Sequence, residues 1–407
     1  MTEKDERKKE EKSLTGFSSI LSKLLSQYNE IELEDVEIDV GDLEIWVQPT
    51  VGAATPLKAV PRAKEKPTTI LEDKFKPLIM EYPGRIVEVK LGATKGEGGS
   101  RSKSLVIGGE TAPAFYLFEK ATPNIPVISF DVFDMKIPLA KAVKMHVQDV
   151  LEDPAAWAKL SVDKFGAEMV NLHLVSIDPL IKDTPPQEAA KTVENVLQAV
   201  DVPIAVGGCG DPAKDLAVFE KVAEVAEGER LLFNSVTLDM DIKKTAEIIK
   251  KFGHAVIAFT SMDMNQAKEL NRKLYEVLPK EDIVIDTTTA ALGYGLDYAF
   301  SIMERTRLAG LMGDEELQHP MSSGTTNAWA AREAWMNMDP EWGPRELRGP
   351  IWESVTALTL LLTGVDYFMM MHPAAVSTIK DVLKNLKKLG GAKTEEIVDW
   401  VEKKIEG

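Results

Sequence analysis

From about residue 100 onward the chain alternates short apolar runs with longer amphipathic segments, and few folds accept that rhythm over so long a stretch. The runs are 105–107, 127–130, 169–175, 203–206, 231–233, 255–259, 283–285 and 365–370. Between them lie segments with helical spacing, at 188–200, 212–226, 242–252 and 265–278. Helix punctuation agrees: Asp211-Pro212 opens one segment and Gly253 closes another. The runs do not alternate apolar with polar, as expected of strands covered on both faces. Strand–helix units repeated over roughly 250 residues predict an α/β fold, a TIM (β/α)8 barrel. The rival, a doubly wound open sheet, lacks the glycine fingerprint of a dinucleotide site.

Upstream the pattern differs. Residues 1–13 are nearly all charged with mixed sign. Residues 14–28 carry Leu14, Phe17, Ile20, Leu21, Leu24 and Leu25 at helical spacing, and between 31 and 47 apolar residues alternate with acids as in half-exposed strands. Pro56, Pro61 and Pro67 mark a loop. The expected organisation is a small N-terminal α+β extension with a linker (1–90), the barrel (91–390) and a C-terminal helical tail (391–407).

Composition excludes several functions. Lys and Arg number 48 against 65 Asp and Glu, a net charge of −17. A surface this acidic argues against nucleic acid or an anionic membrane as partner. The one cysteine, Cys209, cannot form an internal disulfide, and it cannot hold an iron–sulfur cluster, which needs about four ligands. The segment MTEKDERKKEEK has no apolar core of the kind a signal peptide carries. The most apolar stretch, 355–371, is interrupted by Thr356, Thr359, Thr363, Gly364 and Asp366, so it reads as a buried helix, a glycine stop and a buried strand rather than a membrane span. The expectation is a cytoplasmic protein.

In a barrel the functional face lies at the C-terminal ends of the strands. The sequence places small and polar residues there: 207–210 (Gly-Gly-Cys-Gly), Asn234-Ser235, Thr260-Ser261, Asp286-Thr287-Thr288 and His372-Pro373. Glycine lets a ligand approach the backbone closely, and amides and hydroxyls orient it. The candidate ligand contacts are Gly207, Gly208, Asn234, Thr260, Asp286, Thr287, Gly293 and Tyr294.

Other features carry less. The glycine- and cation-rich stretch 91–104 lacks the P-loop spacing and reads as a flexible lead-in or hairpin turn before the first barrel strand. In 291–307, two glycines one residue apart precede a helix, either a helix N-terminus for a polar ligand edge or a tight turn with Tyr294 packed on the barrel. No two of His146, His173, His254, His319 and His372 share metal-ligand spacing on one helix, and His173 reads as a hydrogen-bonded barrel residue. Cys209 has no basic neighbour in sequence to activate it. Trp329, Trp335, Trp342 and Trp352, with Met336 and Met338, form either a rim for a partner chain or flat macrocycle, or ordinary core. No acid/base constellation and no metal site stand out.

Four segments, LGATKGEGGSRSKSLVIGGE from Leu91, VPIAVGGCGDPAKD from Val202, LGYGLDYAFSIMERTRLAGLMGD from Leu292 and RGPIWESVTALTLLLTG from Arg348, resemble the delta subunits of acetyl-CoA decarbonylase/synthase complexes. The bacterial counterpart is the small subunit of the corrinoid/iron–sulfur protein. The resemblance runs from about residue 85 to about 388, and the acidic N-terminal extension resembles the longer archaeal forms. It implies a TIM barrel similar to those of pterin-dependent methyltransferases. It implies a heterodimer with a larger gamma subunit, which carries the iron–sulfur cluster and a corrinoid domain, and association with the other subunits of the complex. The corrinoid would be shared between that domain and this barrel, with no iron–sulfur cluster on this chain. Cobalt would take a methyl group from a methyl-tetrahydropterin and pass it to the acetyl-CoA synthase centre, in reversible acetyl-CoA synthesis and cleavage. The chain's own part would be enclosure and assembly rather than catalysis. The alternative is an autonomous pterin-dependent methyltransferase barrel, using Asn234 and Asp286.

Overall fold

A computed structural model describes residues 80–116 and 122–389. The N-terminal helix, strands and proline loop expected before residue 80, and the tail expected after 390, lie outside the described residues.

Two strands come first, β1 (Glu88–Leu91) and β2 (Leu105–Gly108), paired antiparallel as a hairpin. Eight strands then form a parallel sheet: β3 (Val127–Phe133), β4 (Met169–His173), β5 (Ile204–Gly207), β6 (Leu232–Val236), β7 (Ala255–Phe259), β8 (Ile283–Asp286), β9 (Ser322–Ser323) and β10 (Tyr367–Met370). Strands β3 to β8 pair in sequence order, and β10 lies between β3 and β9. The ring closes where Ile285 bridges Met321 and the Ile285 amide donates to the Pro320 carbonyl at 2.8 Å. The (β/α)8 barrel expected from the sequence is therefore present.

Helices follow the strands, started by aspartates placed just before them. Asp211 accepts from the Lys214 amide, Asp241 from Lys244, and Asp263 from Asn265 and Gln266. Each satisfies an amide with no partner inside its helix. Gly253, at φ +73°, ends the helix Ile242–Phe252 in the left-handed conformation that favours glycine. Gly364, at φ +94°, separates the helix Arg345–Leu361 from β10, so 355–371 is a helix, a stop and a strand. Among the described residues no helix is long and apolar enough to cross a membrane.

One strand assignment changes. Run 105–107 is not a barrel strand; it forms half of the hairpin, and the barrel's remaining strand is β9. The reason is visible in burial. β1 alternates exposed and buried residues, the mark of a strand lying on a surface, whereas β3, β5, β8 and β10 are buried throughout. β9 is two buried serines, with no apolar signal to find.

The hairpin covers the N-terminal end of the barrel. Val89, Leu91 and Ile107 pack with Val127, Met169, Ala205, Leu232, Ala255, Val284 and Tyr367, one layer of side chains inside the ring. Ile128, Val170, Ile204, Phe233, Val256 and Phe368, of opposite parity, belong to the larger cluster with the helices. The stretch 91–104 thus proves to be the hairpin's turn. Its Arg101 is buried: it donates to Glu229 at 2.7 Å and to the carbonyls of Val200 and Leu197.

Candidate functional site

Strand parity carries directly from the core to the site. Two residues beyond the apolar inner layer, the strands present their next inward side chains: Ser129 then Asp131 on β3, Asn171 then His173 on β4, Gly207 on β5, Asn234 on β6 and Asp286 on β8, while β7 and β10 keep the apolar Ile257 and Met369. On the β3, β4, β6 and β8 side the barrel interior changes from apolar to polar within one turn of the pleat. Above it opens a cavity of about 680 Å³ lined by Asp131, His173, Gly207, Asn234, Asp286 and Asn327, among others.

Two loops shape its wall. Gly208 must be glycine, since a Cβ there would run into the Asp215 carboxylate. Asp215 is buried and accepts from the amides of Cys209 at 2.8 Å and Gly210 at 2.9 Å, tying the Gly-Gly-Cys-Gly turn to its own helix. Burial, and then the nearby Asp215, push the Cys209 thiol up to about 11. Cys209 therefore stays a thiol at neutral pH and a poor nucleophile. On the other side, Asp286 accepts from the Thr288 amide at 2.8 Å and from Ser322 Oγ at 2.9 Å. Its burial raises its pKa to about 6. Thr288 sits at φ +77°, a strained setting for a β-branched residue, held by its own hydroxyl donating to the Thr260 carbonyl.

A polar network that sequence reasoning missed lies on the floor. Asp131 is buried; its Oδ1 accepts from Asn171 Nδ2 at 2.8 Å and faces His173 Nε2 at 3.1 Å, while Oδ2 accepts from Thr326 Oγ1. His173 stacks on Phe133 with ring centroids 4.9 Å apart. The reading of His173 as a hydrogen-bonded barrel residue holds, but it also lines the cavity. The available signal was parity: Asp131 lies two residues beyond Ser129, one residue past the end of run 127–130, and Asn171 and His173 share a face.

The candidate residues are not all in one place. Gly207, Gly208, Asn234 and Asp286 line the cavity. Thr260 and Thr287 are buried behind it, and each has a hydroxyl without a hydrogen-bond partner. Gly293 and Tyr294 lie on the segment leading into the helix Leu296–Leu311. Tyr294 is 55% exposed, so it does not pack on the barrel. With Tyr298 it forms one exposed aromatic patch. Trp335, Met336, Met338 and Trp342, between β9 and the helix Arg345–Leu361, form another, and Leu180 and Ile181, after β4, a third. All three lie on segments that follow barrel strands. Trp329 instead belongs to the core, donating to buried Glu353 and stacking on His372. The tryptophan group thus divides between core and rim.

Among the described residues no group of three or more His, Cys, Asp or Glu side chains is placed to hold a metal ion. The chemistry on offer is hydrogen bonding from amides and hydroxyls inside the mouth and apolar contact around it.

A sequence model for the CO dehydrogenase/acetyl-CoA synthase delta subunit matches residues 88–338. The chain is 54% identical over 368 residues to the acetyl-CoA decarbonylase/synthase complex subunit delta of Archaeoglobus fulgidus, covering 87% of this chain and 81% of that protein. It is 52% identical to subunit delta 1 of Methanosarcina thermophila, covering 86% and 82%. With subunit delta of Methanothermobacter thermautotrophicus the identity is 46%, covering 94% and 96%. Among solved structures, a dihydropteroate synthase of Xanthomonas albilineans aligns with a TM-score of 0.47 at 13% identity, covering 69% of this chain and 99% of that one.

Proposed function

The chain belongs to the CO dehydrogenase/acetyl-CoA synthase delta-subunit family, and from that premise we propose that its barrel mouth is one wall of a corrinoid site completed by the gamma subunit. The supporting observation is the pairing of a hydrogen-bonding cavity with an exposed apolar rim on the same face of the barrel. The exposed aromatic side chains Tyr294, Tyr298, Trp335 and Trp342 all lie on segments that follow barrel strands, and such side chains mark a surface made to be covered.

The residues fit part of a corrinoid, and only part. A corrin ring is flat and apolar on its faces and edged with amide side chains. Asn234, Asn327, Thr326 and Asp286 can bond such amides, and Tyr294, Trp335 and Trp342 can pack on a flat face. A cavity of about 680 Å³ would take an edge of the ring and leave the rest to a second chain. When bound, the corrinoid would supply a cobalt centre able to carry a methyl group. This chain's residues would orient the macrocycle, exclude water from one side and hold the partner. The same reading makes the barrel (91–390) the cofactor-facing domain of a heterodimer in the cytoplasm, with residues 1–90 and 391–407 as additions to it. The iron–sulfur cluster would sit on gamma, and other subunits of the complex would attach to the pair.

Size-exclusion chromatography with absorbance spectra tests this directly. The chain alone should elute colourless, and the chain co-expressed with gamma should co-elute with a corrinoid spectrum. Separate elution, or a corrinoid on this chain alone, would contradict the proposal.

A second reading, a pterin-dependent methyltransferase acting alone, has one observation in its favour: Asn234 and Asp286 line the same cavity. Under it, Asn234→Ala and Asp286→Ala would abolish methyl transfer with assembly intact. Unchanged transfer would eliminate it.

A further inference from the structure

Gly207 leaves a gap in the cavity floor that a side chain would fill. A Cβ at that position would lie 3.3 Å from His173 Nδ1 and 3.8 Å from Asn234 Nδ2, so both nitrogens border the same space. Their chemistry differs. Nε2 of His173 lies 3.1 Å from the Asp131 carboxylate and 2.9 Å from Asn171 Nδ2, which itself donates to that carboxylate at 2.8 Å. Asn171 Nδ2 already has the carboxylate as acceptor, and the charged carboxylate, which only accepts, is a stronger partner for a ring N–H than the amide is for a bare nitrogen; we assign the proton to Nε2, which leaves Nδ1 as an acceptor. Among the described residues no hydrogen bond reaches Nδ1. Asn234 Nδ2 is a donor whose partner is the Met369 thioether at 3.3 Å, a weak acceptor that a better one would displace.

An acceptor beside an underused donor matches a group that carries N–H next to C=O. We propose that His173 Nδ1 and Asn234 Nδ2 form, over Gly207, a subsite for a carboxamide edge on the molecule held at the mouth, with Asp131 and Asn171 as positioning residues that fix the imidazole. Two sources share this chemistry, a side-chain amide on the edge of a corrin ring and the lactam edge of a pterin. The proposal rests on the reading that the mouth holds a ligand, and it adds which part of that ligand the floor recognises.

The test uses the full chain with 15N-labelled histidine and three probes. Dicyanocobinamide has a corrin ring with intact side-chain amides, and cyanide on both faces of the cobalt prevents imidazole coordination. Dicyanocobyrinic acid has carboxylates in place of those amides. 6-Methylpterin supplies the lactam. The free chain should show His173 protonated at Nε2. Dicyanocobinamide or 6-methylpterin should shift the Nδ1 resonance, identifying the source, and dicyanocobyrinic acid should not. Gly207→Ala fills the gap without placing alanine at a positive φ. It should weaken the effective probe roughly tenfold, as loss of about 1.4 kcal/mol requires, with an unchanged circular dichroism spectrum.

An Nδ1-protonated His173, no response to either amide probe, or equal binding by Gly207→Ala would overturn the proposal. Co-elution of corrinoid with the gamma pair that survives Gly207→Ala at full affinity would remove this subsite and leave the shared-corrinoid reading intact. A 6-methylpterin response in a chain that never pairs with corrinoid would do the reverse.

Discussion

Around the N-terminal hairpin the buried and half-buried charges are paired, and of the Arg307 guanidinium, held by Glu110 and Asp366, only Nε lacks a partner; around the mouth several buried polar side chains have an atom with none. Arg101 is bonded to Glu229 and two carbonyls, and Arg230 to Asp282 and to the Lys90 and His254 carbonyls. At the opposite end, Asn171 Oδ1, Thr260 Oγ1 and Thr287 Oγ1 are buried without partners, Thr288 is strained, and aromatic side chains face solvent. An unpaired buried polar group costs about 1–3 kcal/mol. The barrel therefore closes one end for stability and leaves the other unfinished, the arrangement expected where a second body completes the site.

That contrast can be broken in four ways, each by substitution. Arg101→Ala leaves Glu229 facing a desolvated gap and strips carbonyls of their donor. It should cost about 3–5 kcal/mol in denaturant unfolding, with pairing of the folded fraction unaffected. On the rim, Trp335→Ser with Trp342→Ser should leave stability within about 0.5 kcal/mol. The same change should weaken association with gamma by about 2 kcal/mol or more, roughly 30-fold, measured by titration. A large stability loss from the rim change, or a pairing defect from Arg101→Ala, would erase the distinction between the ends.

Asp286 sharpens it through pH. Burial lifts its pKa from 3.8 to about 6, so folding favours the protonated form. Its contribution is complete below about pH 4 and is lost as pH rises through about 6, on the order of 3 kcal/mol at most. Asp286→Asn should flatten the stability curve over that window relative to the unmodified chain, read by unfolding at several pH values. The smallest effect is expected from Thr288→Gly. Relief of the positive φ and loss of the bond to the Thr260 carbonyl should nearly cancel, leaving thermal unfolding within about 1 kcal/mol.

The legible part of the fold was its apolar part. Seven of the eight apolar runs are barrel strands because strands covered on both faces have to be apolar. The eighth failed because run 105–107 looks the same whether it lies in the ring or across its end. Only the alternation at Glu88, Val89, Lys90 and Leu91 separates the two, and it lay upstream of the expected barrel boundary. β9 was illegible in principle: Ser322 and Ser323 are held by backbone pairing to β10 and by Ser322 bonding Asp286. At the mouth, turns rich in glycine pointed to Gly207 and Gly208, and strand ends to Asn234 and Asp286. His173 was hidden inside run 169–175 and Asp131 lay one residue past the end of run 127–130, because strand ends at the mouth carry polar side chains inward while their outward neighbours stay buried under helices. The turn pattern at 291–307 left Tyr294 open between a ligand contact and packing on the barrel, because it fixes the backbone but not where the ring goes; the ring is exposed.

Hydrogen–deuterium exchange on the chain, alone and paired with gamma, tests the central claim that the mouth is the covered end. Pairing should protect the backbone around residues 178–183, 293–298 and 335–343 and leave the hairpin 88–108 unchanged. Protection of the hairpin with the mouth segments unaffected would contradict the account.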